Sequence, residues 1–65
     1  GDYQQAGDLF RLFDDGQKTR LFQNITEAMQ GVSKHIIEKQ LAHFDKADPA
    51  YGMGIRDAIA KSKNA

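Results

Sequence analysis

At 65 residues the chain can bury only about 60% of the surface that its unfolded form exposes, and without cysteine it has neither a disulfide nor a thiolate metal site to support so small a core. Nine Lys and Arg balance nine Asp and Glu, and the charges are interspersed, so the concentrated basic excess of a nucleic-acid binder is missing. No apolar run approaches the roughly 20 residues a membrane span requires, and no secretory leader pattern opens the sequence.

Helical periodicity dominates, with no useful stretch of strand-like alternation. It predicts an all-α fold, a small bundle of four short helices over about 3–13, 15–30, 34–46 and 49–62, forming one domain across 1–65. Below roughly 70–80 residues a single core rarely supplies more than about 3–5 kcal/mol. The segment is therefore expected to lean on another surface. In the first helix Tyr3, Ala6, Leu9, Phe10, Leu12 and Phe13 cover an arc of roughly 180°, where a one-sided surface helix needs about 100°. Two faces of this helix should thus be buried, one in its own bundle and one against something else. Phe10 and Phe13 make one seam with Tyr3 and Ala6; Leu9 and Leu12 lie on its flank. The remaining stripe carries Gln4, Asp8 and Arg11.

Asp14 has the features of an N-cap, and Gln17 three residues later gives capping-box spacing. The second helix places Leu21, Phe22, Ile25, Ala28 and Met29 on one face, and Gly31 suits a C′ position. Ser33 caps the third helix, with Val32 and Ile37 spaced as a hydrophobic staple. Its apolar face is Ile36, Ile37, Leu41, Phe44 and Ala47, with Gln40 in the middle and His43 at the edge. Asp48-Pro49 is a cap followed by proline at the first helical position. Tyr51, Ile55, Ala58 and Ile59 then face inward. Gly52 and Gly54 each weaken that helix by about 1 kcal/mol relative to alanine. The tail 61–65 is polar and is expected to fray.

His35 and His43 are eight residues apart, whereas a metal pair on one helix face prefers i,i+4. They read as packed or interfacial histidines. A buried Gln40 would need a hydrogen-bond partner on a neighbouring element. The Gly31-Val32 connection has the look of a DNA-reading helix-turn-helix, but Glu38 and Asp45 beside Lys34 and Lys39, at zero net charge, argue against it.

Several strings resemble the C-terminal region of haem catalases. They are Tyr3-Gln4-Gln5-Ala6-Gly7-Asp8-Leu9-Phe10-Arg11-Leu12, Leu21-Phe22-Gln23-Asn24-Ile25, Gln40-Leu41-Ala42-His43-Phe44 and Lys46-Ala47-Asp48-Pro49-Ala50-Tyr51-Gly52. Their order and spacing are similar to the small-subunit, NADPH-binding type across nearly the whole chain. Asp15-Gly16 and Met53-Gly54 depart from it, standing where relatives carry residues that favour a helix more or are charged.

The resemblance implies a parent enzyme that dismutates hydrogen peroxide to water and oxygen, with haem b held in a β-barrel domain beside this helical one. It implies a homotetramer and, in several members, an NADPH cleft between barrel and helices. The haem tyrosine and the distal histidine and asparagine belong to the barrel, so the resemblance gives no catalytic role to Tyr3, Tyr51, His35 or His43. For NADPH it singles out Gln4, Gly7, Asp8 and Leu12, with Gly7 allowing close approach. A carboxylate at Asp8 would repel the dinucleotide's phosphates, and Asp8 with Arg11 also reads as a plain i,i+3 ion pair. No partner nucleic acid or membrane is expected. The cytoplasm is the expected compartment, with the periplasm and peroxisome left open. The competing reading is a free-standing helical module that binds a partner through its first helix.

Overall fold

The computed structural model of the chain describes residues 2–64. They form four α-helices: α1 (Asp2–Leu12), α2 (Asp15–Ala28), α3 (Lys34–Ala47) and α4 (Pro49–Lys63). The all-α expectation holds, and the helix starts follow from local chemistry. At α2 the Asp14 carboxylate accepts the Gln17 amide N–H at 2.7 Å, and the Asp14 N–H donates to the Gln17 side chain at 2.9 Å, a complete capping box. Ser33 Oγ accepts the Ile36 N–H, and Asp48 Oδ1 accepts the Ala50 N–H.

The ends are less local. α1 stops at Leu12, and Phe13 closes a turn by donating its N–H to the Phe10 carbonyl. α2 stops at Ala28 with Met29 as its cap, before the expected residue 30. The chain then turns through Gly31 at φ +80°, a left-handed conformation that glycine adopts without steric cost. α4 runs on to Lys63, one residue past the expected 62, with Ser62 bonded to the Ile59 carbonyl and Lys61 and Lys63 at the negative end of the helix dipole. Ala65 lies outside the described residues.

The core is centred on Met29, Leu41 and Ile55, the last fully buried, with Phe22, Ile25, Ile37, Phe44, Tyr51 and Ile59 packed around it. α4 packs on both α2 and α3, while α1 lies mainly along α3. Several expected inward positions differ, Ile36 among them at 50% exposed. Ala28 is exposed and Thr26 is buried instead, its hydroxyl donating to the Phe22 carbonyl at 2.8 Å. Gln40 is exposed, so it needs no buried partner.

The two α4 glycines explain this packing. A Cβ on Gly54 would run into the Phe22 ring, and one on Gly52 into the Asp45 carboxylate. These residues lower helix propensity but let α2 and α3 approach α4 closely. Asp45 is in turn gripped by both guanidinium nitrogens of Arg56, at 2.8 and 2.9 Å.

Candidate functional site

α1 has two faces of opposite character. Phe10 is 2% exposed, stacks on Tyr51 at 4.5 Å between ring centroids and tilts against Phe22 at 5.8 Å. Lys18 Nζ lies 4.7 Å from the same ring, a cation–π contact. Leu9 and Leu12, by contrast, are 53% and 80% exposed. Of the seam expected from Tyr3, Ala6, Phe10 and Phe13, only Phe10 is buried; Tyr3, Ala6 and Phe13 are exposed, because α1 meets the bundle mainly through that one ring. The wide apolar arc thus divides: one part enters the bundle, and the leucine flank meets no part of it large enough to bury it.

Gln4, Asp8 and Leu12 follow i, i+4, i+8 spacing and are all exposed, so they share the open side of α1. Gly7 is not with them. It is buried, and a Cβ there would strike the Ala47 carbonyl oxygen, so the close approach it permits is that of α1 to the C-terminal end of α3. Asp8 accepts from Arg11 at 2.6 Å, and Arg11 reaches on to Asp48 at 2.8 Å. Hydrogen bonds to Asp48 and then to Asp8 raise the Arg11 pKa. The Ala50 N–H, followed by Arg11, holds the Asp48 carboxyl below its usual range. Arg11 is therefore committed to two carboxylates and is not poised to receive a phosphate. Gln4, Asp8 and Leu12 thus stand together on the exposed side of α1, and Gly7 stands apart from them, buried against α3.

At the other end of α1, the Tyr3 hydroxyl and His43 Nδ1 share a hydrogen bond and the two rings stack at 5.7 Å. Lys46 Nζ lies 5.5 Å from the centre of the Tyr3 ring. His43 thus fastens α1 to α3. His35 is exposed near the start of α3, about 12 Å from His43 at 1.5 Å per residue, too far to share an ion. Among the described residues no cluster of three His, Cys, Asp or Glu side chains could hold a metal ion, and no helix is long and apolar enough to cross a membrane.

A second apolar surface escaped the sequence reading. Val32 and Ile36, 37% and 50% exposed, line a notch with Ile25, Ala28, Ile37 and Phe44 where α2 turns into α3. The staple pair Val32 and Ile37 forms part of its wall. The available signal was Ile36 beside Ile37, which makes the apolar face of α3 wider than one contact surface needs.

Comparison with known proteins points to one family. The family described as catalase-related immune-responsive matches residues 1–59. A catalase of the Onchocerca volvulus endobacterium is 53% identical over 62 residues, which is 95% of this chain and 13% of that protein. Catalase A of Pseudomonas putida is 57% identical over 57 residues, 88% of this chain and 12% of the relative. A catalase of Staphylococcus haemolyticus is 44% identical over 57 residues, 88% and 11% respectively. The chain thus spans about an eighth of the length of the relatives it matches. No solved structure matches it at a significant level. With residues 1–59 of 65 inside the family match, the chain belongs to the catalase-related immune-responsive family.

Proposed function

We propose that this chain is the C-terminal helical domain of a haem catalase, residues 1–65 forming one domain whose open α1 face docks on the haem-bearing β-barrel of the same polypeptide. The observation that carries the reading is the split of α1, with Phe10 inside and Leu9 and Leu12 outside. Fully burying a leucine is worth about 1.5–3 kcal/mol, a gain this small core leaves unused. The relatives' names and lengths support the same reading, since each is a catalase several times longer than this chain.

On this reading the parent dismutates hydrogen peroxide to water and oxygen, works as a homotetramer, and holds haem b outside the present segment. The chemistry at the iron belongs to residues beyond this chain. The chain's own part is to cover the barrel and to offer Gln4 and Leu12 as one wall of an NADPH cleft. A reduced dinucleotide bound there supplies hydride equivalents. The Asp8–Arg11–Asp48 chain of ion pairs keeps the wall's shape without contributing a phosphate site.

The parent protein, purified with its haem, is expected to evolve oxygen from peroxide. Leu9→Ser is expected to speed its thermal inactivation while leaving the initial rate of oxygen evolution unchanged. A parent that binds no haem and evolves no oxygen would overturn the assignment and favour the interaction module. For the cofactor wall, Gln4→Ala should weaken NADPH binding to the parent in a fluorescence titration, and an unaltered affinity would remove Gln4 from it.

A further inference from the structure

The two methionines occupy opposite environments. Met29 is 9% exposed and lies in the core with Leu41 and Ile55. Met53 is 58% exposed on α4. One turn before it on the helix are Pro49 and Ala50, both small and exposed. One turn after it, Arg56 is held by Asp45. Its immediate neighbours, Gly52 and Gly54, have no side chains to cover it.

We infer that Met53 is a peroxide-modified site, its thioether taking one oxygen atom from hydrogen peroxide to become methionine sulfoxide while Met29 is spared. A sulfur lone pair attacks one peroxide oxygen, the O–O bond breaks and an S–O bond forms. The sulfur is oxidised by two electrons. The departing hydroxide takes the proton left on the transferred oxygen, so the peroxide is reduced to water. The product is a polar, chiral side chain that methionine sulfoxide reductases convert back. On the solvent side of α4 that polarity meets water. The same change at Met29 would put a polar group against Leu41 and Ile55. Met53 therefore carries a repairable oxidative mark that leaves the core alone. The inference rests on the proposed function for the source of the peroxide and on α4's Met53 side lying outside the α1 face that docks on the barrel.

The test exposes the full-length parent to rising doses of hydrogen peroxide. Oxygen evolution is followed, and the Met53 and Met29 peptides are quantified by mass spectrometry. Sulfoxide is expected at Met53 several-fold faster than at Met29, because the first thioether is open to solvent and the second is buried. Circular dichroism should hold constant while Met53 alone is modified, and Met53→Leu should remove the fast phase and keep the slow one. Equal rates at the two sites would overturn the inference. So would a Met53 peptide that stays unmodified at doses that oxidise a methionine peptide control, or helicity that falls in step with Met53 oxidation. A parent that evolves no oxygen yet is oxidised first at Met53 would overturn the proposed function and leave this inference standing.

Discussion

The α3–α4 pair and α1 are held in place by different means. α3 and α4 meet over a continuous apolar surface, with Leu41 and Ile55 buried and glycines letting neighbouring side chains come close. α1 is pinned at separate points: one buried ring, Phe10; one glycine, Gly7, against Ala47; and two polar ties, Tyr3 to His43 and Arg11 to Asp48. An element pinned at points can keep one side free for another surface. An element wrapped by its neighbours cannot.

The largest expected effects come from truncating the two buried anchors. Phe10→Ala should cost about 3–5 kcal/mol and Ile55→Ala about 2–5 kcal/mol. The comparison predicts different patterns of loss. In the full-length parent, where the domain is supported, hydrogen exchange should show α1 amides losing protection first in Phe10→Ala, and all four helices together in Ile55→Ala. Identical patterns would mean that α1 is as integral as α4.

Gly54→Ala comes next. Alanine favours a helix over glycine by about 1 kcal/mol, but the added methyl meets the Phe22 ring, and overpacking of this kind costs about 1–3 kcal/mol. A net lower melting temperature is expected, whereas a higher one would show that the ring moves aside freely.

Acid gives a smaller, charge-dependent loss. Asp45 and Asp48 both have carboxyl pKa values held below the ordinary 3.8, Asp45 chiefly by Arg56, and Asp48 by the Ala50 N–H and then Arg11. Their contributions are present above that value and vanish as pH falls through the lowered ones. Melting temperature should therefore drop below about pH 4. Arg11→Gln should remove part of the acid sensitivity, and an unchanged acid profile would take the α1 tie out of the account.

The smallest effect is assigned to Leu12→Ala, within about 0.5 kcal/mol in the 65-residue chain, as for surface positions generally. A larger loss in isolation would mean that the open face is not open.

Helix starts were legible in the sequence because each depends on two or three adjacent residues: Asp14 with Gln17, Ser33, and Asp48 with Pro49. The split of α1 was legible as a need, since a 180° arc cannot be satisfied by one neighbour. Which seam would turn inward was not, because that depends on where Tyr51 and Phe22 stand. Gly52 and Gly54 read as weaknesses because their compensation comes from Asp45 and Phe22 on other helices. Gly7 has the same ambiguity: a glycine announces a close approach without saying to what. Thr26 displaced Ala28 from the interior because its hydroxyl finds a carbonyl within its own helix, a satisfaction that apolar patterning overlooks.

Asp48 ties together events that are distant along the chain. One oxygen of its carboxylate receives the Ala50 amide at the start of α4, and the other receives Arg11 from α1. Each bond orients the group for the other, so the seating of α1 and the winding of the first turn of α4 share a coupling free energy, and such coupling is reciprocal. Whatever presses on the outer side of α1 should therefore slow amide exchange at Ala50 and Tyr51 without touching them. Loosening that first turn should, by the same amount, loosen the grip on whatever α1 holds.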